Sequence, residues 1–415
     1  MSLEPAVDGY SQTFESSYKY SACYRLPDDR CWRVSLCLNR NRNEEDLDCV
    51  EHRVMSVRPQ TKRKSTLLDL FRRVVDFDKI PYLNDTITRV TLRTNVDTSE
   101  CNAMRPWLKT HGVEFLGLAL ENQHIECIVD EDITSVVNYR PIELYQGIYP
   151  VNLLYIPYDR LERTPRDISE IYQEGVFKVL VEDQFFLLKE PSSPESGEAL
   201  HQELMNLLRL NLSSNIVRLK GIAISEHPYT TTPKPVPSFV VRGFLTEYQE
   251  KGDLGTILRS KAEISWAQRV EWAIHIGNGL KVMHEADLTH MDLKCSNVVV
   301  NNANEAGLID ISGIGGMSWG WRAPEMKTEK NPFDRPLLDR QLNDIYAFGV
   351  VLWEIATGEE PDGRSYIFDY PVSRNDLPES YSSIMQQCLL PSPAARPSLM
   401  DILTMLIELR DVREF

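Results

Sequence analysis

"HMDLKCSN", residues 290–297, sets a carboxylate, a cation and an amide within six positions: Asp292, Lys294 and Asn297. A carboxylate next to a hydroxyl nucleophile can orient it and accept its proton. A lysine two residues on can neutralise charge on a phosphoryl group in flight, and an amide oxygen five residues past the aspartate can ligate Mg²⁺. Phosphoryl transfer wants all three, because positioning and charge neutralisation supply most of its rate. Thirteen residues after Asn297, "LIDISG" adds a further carboxylate, Asp310, behind the short strand Gly307-Leu308-Ile309. Upstream, "FFLLKE" ends an apolar strand on Lys189, and "LHQELMNLL" reads as a helix with Glu203 beside Leu200, Leu204 and Leu207.

These segments, in this order, resemble a eukaryotic protein kinase domain over about residues 168–415. "HMDLKCSN" is similar to the catalytic loop H-R-D-L-K-x-x-N of that family. The resemblance implies Asp292 as catalytic base, Lys294 as the phosphate-facing cation, and Asn297 and Asp310 as Mg²⁺ ligands. It also implies a Lys189–Glu203 ion pair holding the α- and β-phosphates of ATP, each charge supporting the other against burial. "NIVRLKGI" (215–222) falls at the family's distance from Glu203, which favours Glu203 over Glu198. His290 would brace the loop. "RAPEM" (322–326), "DIYAFGVVLWEIATG" (344–358) and "ARPS" (395–398) match later family elements, so Glu325 is expected to pair with Arg396 and Asp344 to anchor the catalytic loop.

The match is poorest over the nucleotide. The family's G-x-G-x-x-G would fall on "YQEGVFKVLV" (172–181), with Gly175 as the middle glycine, Phe177 as the aromatic tip, and Gln173 and Lys178 in the outer places. Lys178 there faces either a phosphate or solvent. Leu187 replaces a small roof residue, and Leu180 and Val299 would complete the apolar walls. "FLTEYQEKGDL" (244–254) resembles the hinge, with Thr246 as gatekeeper followed by Glu247 and Tyr248. Asp253 is either a ribose contact or the N-cap of a helix starting at Leu254. Ile311 and Ser312 replace Phe and Gly of the family's D-F-G, which puts the motif's flip in question. Met291 replaces the arginine that feels an activation-loop phosphate, and Ser318 stands where serine/threonine kinases keep a threonine touching the catalytic Asp and Lys.

The elements that must position these groups read as an α+β chain: a bilobal protein-kinase-like fold preceded by a small α+β domain. Residues 1–142 form that first domain, with strands expected at 88–93, 113–120 and 124–129 and a helix capped by Ser65 carrying Leu67, Leu70, Phe71 and Val74. Residues 143–166, rich in Pro and Tyr, are expected as an extended strap on the next domain. A β-rich lobe (167–248) and a helical lobe (249–415) follow. The Pro-rich stretch at 230–239 reads as a stiff insertion between strands.

Composition narrows the classes. A formal charge of −16 argues against a nucleic-acid surface, which needs clustered Lys and Arg. Lys62-Arg63-Lys64 is a short basic knot, read as solvated. The start lacks a secretory pattern and no apolar run approaches a membrane span, so a cytoplasmic or nuclear setting with reduced thiols is expected for the eight Cys. Cys49 and His52 have ligand-like spacing without a second pair, and are read as structural rather than zinc-binding. The expectation is therefore a serine/threonine kinase using Mg²⁺ and ATP on a protein substrate, with no activation-loop switch. Its rival is a kinase-fold binding module, and a small-molecule kinase is a third class.

Overall fold

The computed structural model describes seven strands between residues 10 and 131, then residues 137–146, 153–164, 175–191, 194–210, 213–228, 239–260, 263–314, 316, 318–361 and 377–412. Strands β1 (Tyr10–Phe14), β2 (Ser17–Arg25), β3 (Cys31–Asn39), β4 (Thr88–Thr94) and β7 (Ile125–Glu131) make a sheet in the order β1-β2-β3-β4-β7. Only its β3–β4 pair is parallel. The stretch expected as one strand over 113–120 holds two short ones, β5 (Glu114–Phe115) and β6 (Leu118–Ala119), which pair with each other. The expected helix from Ser65, the pair Cys49 and His52, and Lys62-Arg63-Lys64 lie outside the described residues.

The small lobe is a six-stranded sheet in the order β8-β12-β13-β11-β10-β9. It comprises β8 (Leu154–Pro157), β9 (Glu162–Arg163), β10 (Val176–Val181), β11 (Gln184–Lys189), β12 (Leu219–Glu226) and β13 (Phe239–Glu247). The segment at 143–166 therefore does more than strap the lobe, since it supplies both edge strands. β8 runs parallel to β12, and β9 antiparallel to β10. Its prolines are compatible with this because an edge strand has one row of backbone groups that no ladder uses, and Pro157 ends β8 opposite Ile224.

The β10–β11 hairpin turns on Glu182 and Asp183, both with positive φ (47° and 63°), the geometry of a two-residue turn that follows strand twist. One face of the sheet closes over Ile156, Tyr158, Phe177, Val179, Phe186, Leu188, Ala223 and Leu245. The other faces helix α1 (Pro194–Leu210), whose Leu200, Leu204 and Leu207 enter the main core.

The large lobe holds α2 (Leu254–Arg259), α3 (Trp266–Glu285), α4 (Pro324–Lys327), α5 (Leu337–Thr357), α6 (Glu379–Cys388) and α7 (Leu399–Val412). It also carries the hairpin of β14 (Val298–Val300) and β15 (Ala306–Leu308). Every residue of α5 from Asn343 to Ala356 is buried, as befits an axis round which the other elements pack. Among the described residues no helix is long and apolar enough to cross a membrane.

Candidate functional site

Asp344 on α5 fixes the loop that carries Asp292. Its carboxylate is fully buried and accepts from the backbone N–H groups of His290 (2.8 Å) and Met291 (2.9 Å), with the His284 ring at 3.0 Å. Those bonds hold Met291 at φ 65°, a conformation that a side chain adopts only under such restraint. Met291 itself is buried. His290 Nε2 lies 3.1 Å from the Ile309 carbonyl, so the ring braces the chain one residue before Asp310.

From that anchor the polar side chains converge. Lys294 reaches Asp292 Oδ2 at 3.0 Å and donates to the Ser318 hydroxyl at 2.8 Å. Ser318 N–H donates to Asp292 Oδ1 at 2.7 Å, and Asn297 Nδ2 donates to the Asp292 carbonyl at 2.8 Å and to Oδ2 at 3.2 Å. The remaining amide oxygen, Asn297 Oδ1, is buried without a hydrogen-bond partner. A bare acceptor costs stability unless a ligand fills it, and a hard oxygen in that state fits a divalent cation. The Asn297 carbonyl accepts from Ile309 N–H at 3.0 Å, which sets Asp310 beside it.

Lys189 bridges two carboxylates, Glu203 of α1 and Asp310 Oδ1, the latter at 2.5 Å. Burial alone would lower the lysine's pKa, but the charges of Asp310 and Glu203 outweigh it and hold it above the usual value. Burial raises Glu203 above the ordinary carboxylate range, with Asp310 adding to the effect and Lys189 opposing it. Asp310 goes the other way: burial would raise it, yet Lys189 beside it keeps it below the ordinary value. Glu198 lies elsewhere, paired with Arg140 at 2.6 Å.

The segment after Asp310 is pinned as well. Ile311 is wholly buried in the main core, and Asn206 of α1 donates to its carbonyl at 2.7 Å. Asp310 itself takes a left-handed φ of 57°, and so does Gly313 (φ 70°), where a Cβ would lie 2.6 Å from the Thr289 carbonyl. Gly316 approaches so closely that a Cβ would meet Asp292 Oδ2 at 2.8 Å. Further on, Glu325 and Arg396 form a two-pronged pair at 2.6 and 2.8 Å, with the arginine side chain fully buried. Buried Glu354 accepts from Trp321 Nε1 at 2.6 Å and from Cys295 N–H at 3.2 Å. Burial pushes its pKa up to about 7 despite those bonds.

A family model for protein tyrosine and serine/threonine kinases matches residues 181–406. The chain belongs to this family. It is 25% identical over 340 residues to mitogen-activated protein kinase kinase kinase dlk-1 of Caenorhabditis elegans, covering 74% of this chain and 32% of that protein. It is 28% identical over 210 residues to mitogen-activated protein kinase kinase kinase 13-B of Xenopus laevis, covering 46% and 20%. A probable serine/threonine-protein kinase of Dictyostelium discoideum is 25% identical over 257 residues, covering 56% and 14%. The chain thus spans a third or less of the length of these relatives.

In the kinase cleft the roof departs from the expected placement. The hairpin register sets Val176 opposite Lys189 and Lys178 opposite Leu187, and Gly175 O accepts from Glu190 N–H at 2.8 Å. Gly175 (φ 80°) is therefore the entry to β10, not the crest of a phosphate loop. Phe177 points into the outer core rather than forming a tip. The connection from β9 to β10 runs instead through residues 164–175, of which 165–174 lie outside the described residues. The compact turn at Glu182–Asp183 explains the shift, because it shortens the span that a motif count assumes.

Alternation along β10 puts Val176, Lys178 and Leu180 on the face shared with Leu187 and Lys189. Leu180 lies one rung further out, opposite Phe185 and beside Glu162. Lys178, expected to face either a phosphate or solvent, lies on that face: its ammonium sits 4.5 Å from the Phe185 ring centre and 4.3 Å from that of Tyr248.

At the hinge, Thr246 pairs with Leu187 and is buried on the cleft side, while the Glu247 side chain turns to Lys220. Val299 bridges to Asp253 across the floor. Asp253 acts as the cap, both its oxygens being taken by Thr256 N–H (2.8 Å) and Thr256 Oγ1 (2.7 Å).

Proposed function

We propose that the chain is a serine/threonine protein kinase that transfers the γ-phosphoryl group of Mg²⁺–ATP to a protein hydroxyl. The observation that carries this reading is Lys189 lying between Glu203 and Asp310, with Asn297 Oδ1 an unfilled acceptor nearby in the chain path. Asn297 and Asp310 would hold Mg²⁺. When bound, the ion neutralises charge on the phosphates. Lys189 would hold the non-transferred phosphates, with Glu203 keeping its ammonium in place. The acceptor hydroxyl oxygen bonds to phosphorus as the bond from phosphorus to the ADP oxygen breaks, and its proton passes to Asp292. Lys294, already beside Asp292, faces the moving charge.

The same reading has no activation-loop phosphate requirement. The residue before Asp292 is a buried methionine held by Asp344, so no cationic arm leaves the loop there. A kinase-fold binding module is the second reading. It is favoured by Lys178 sitting against Tyr248 and Phe185 at the hinge end of the roof.

Phosphate incorporation into generic serine/threonine substrates, lost on chelation of divalent cations and in Asp292→Asn, is the expected result. Incorporation unchanged in Asp292→Asn, or no incorporation together with no Mg²⁺–ATP-dependent melting shift, would sink the enzyme reading. A marked fall after phosphatase treatment would overturn the switch-free part alone.

A further inference from the structure

β11 ends on Lys189, whose rungs there are Val176 on β10 and Phe244 on β13. Alternation sends the Lys189 side chain into the cleft and that of Glu190 to the far face, where Phe186 and Leu188 sit in the outer core. Past that last rung the chain is held by Glu190, whose N–H donates to the Gly175 carbonyl at 2.8 Å. The buried Glu190 carboxylate accepts from the Tyr158 hydroxyl at 2.5 Å. It also accepts from Arg163 Nη2, at 2.9 Å to Oε1 and 2.8 Å to Oε2. The same nitrogen donates to the Tyr158 oxygen at 2.6 Å, which closes a triangle. Rings steady two of its corners: the Arg163 guanidinium lies 3.9 Å from the centre of the Phe177 ring, and that of Arg242 on β13 lies 4.2 Å from the Tyr158 ring. Tyr158, in the turn after β8, and Arg163, in β9, both precede the residues 181–406 that the kinase family model matches.

We infer that Tyr158 and Arg163 are positioning residues for Lys189, acting through Glu190 from the opposite face of the sheet. A strand end frays unless something past its ladder ties it down, and Lys189 must hold its ammonium between Glu203 and Asp310 from that end. Glu190 supplies the tie. Its charge is buried, so moving it away from Arg163 and Tyr158 would leave it stranded. One rigid peptide unit joins Glu190 to Lys189, so a fixed Glu190 fixes the Lys189 carbonyl and the direction in which the lysine leaves the strand. The bond to Gly175 carries the same restraint to the entry of β10. The segment 154–164 is then part of the machinery that aims the lysine, and not only a covering of the small lobe. For Lys189 itself the inference stands on this geometry alone. For its effect on ATP it rests on the phosphotransfer reading above.

The test uses the full chain and reads two quantities well below the melting temperature. One is the rate at which an amine-acylating reagent modifies Lys189, followed by mass spectrometry; the other is Mg²⁺–ATP affinity by calorimetry. Tyr158→Phe removes one hydroxyl and is the variant least able to disturb folding. In it and in Arg163→Met, Lys189 should be acylated at least about threefold faster, because the lysine leaves its carboxylates more often. Mg²⁺–ATP should bind about five- to twentyfold more weakly in both. Arg163→Lys should stay closer to the wild type than to Arg163→Met, since a single nitrogen makes all three bonds. Ile156→Ala removes apolar contacts from the same core and no bond to Glu190, so it should lower the melting temperature without speeding the acylation. Unchanged acylation in both Tyr158→Phe and Arg163→Met would overturn the inference, as would an equal rise in Ile156→Ala, which would mark a general loosening of the lobe. Faster acylation in the two variants, with no Mg²⁺–ATP binding even by the wild type, would leave the positioning role standing and remove the kinase reading instead.

Discussion

The floor and the roof of the cleft are built by opposite means. The floor is a set of polar side chains locked to one buried helix: Asp344 holds the loop, Asn297 and Lys294 hold Asp292, and Arg396 holds Glu325. The roof is a strand pairing in which Lys178 and Leu187 get their places from register, and Gly175 from a backbone bond to Glu190. A residue in the floor is identified by the partners it needs. In the roof it is identified only by counting rungs from a turn.

That difference predicts the largest effect at the floor's anchor. Asp344→Ala strands two backbone N–H groups and the His284 ring in a site closed to water, and should lower stability by about 3–5 kcal/mol. Denaturant midpoints check this, and Asp344→Asn, which keeps an acceptor, should recover part of the loss.

Next comes Lys189→Met, in which Glu203 and Asp310 face one another without the cation between them. Phosphotransfer should fall by about 100- to 1,000-fold, roughly 3–4 kcal/mol. The contribution of Asp310 to the pH dependence should change sign as well, whereas Glu203 is already raised beside the cation. With Lys189 present, Asp310 is depressed below its ordinary 3.8, so its contribution is complete above that value and is lost as pH falls through the folded value. In the variant both buried carboxylates would be raised, and stability should decline as pH rises. Urea midpoints across the acidic range decide between the two signs.

A milder effect is expected at Glu354, beneath the catalytic loop. Its folded pKa of about 7 stands above the ordinary 4.5, so the folded protein keeps a proton that the unfolded chain gives up. Stability therefore falls as pH rises from 4.5 to about 7. Glu354→Gln retains an acceptor for Trp321 and Cys295 and removes the charge. It should flatten that slope and raise stability above neutral pH by up to about 2–3 kcal/mol. A variant with the wild-type pH profile would show that the carboxyl does not titrate there.

The floor was legible because the type and spacing of Asp292, Lys294 and Asn297 suggest phosphoryl transfer, and the resemblance to a kinase domain then implied Asp310 and Glu325. Four features were not legible, each for a physical reason. The edge strands β8 and β9 sit in a Pro- and Tyr-rich segment, and prolines that argue against a central strand are compatible with an edge. Gly175 was misplaced because the two-residue turn at Glu182–Asp183 cannot be told by residue type from a longer one. The left-handed Gly313 was not singled out, because the approach to the Thr289 carbonyl that requires a glycine there is invisible in sequence. Asn297 was legible as a candidate ligand, but that its Oδ1 is the one acceptor left over follows only from seeing Nδ2 occupied.

The smallest predicted effect sits in the roof and tests whether register alone placed Lys178. Its ammonium spans the rings of Phe185 on β11 and Tyr248 just past β13, closing the hinge end over the face that Leu187 and Thr246 share. A planar base entering there must displace the ammonium from the Tyr248 ring, an interaction worth about 0.5–1 kcal/mol at a partly exposed site. Lys178→Ala should therefore tighten ATP binding about two- to fivefold by calorimetry, while Leu180→Ala, one rung further out, should change it less. If ATP binding weakened in Lys178→Ala, the ammonium would be holding the nucleotide rather than obstructing it. The roof would then hold a functional cation chosen by register, and the contrast with the floor would narrow to how the residue is found rather than what it does.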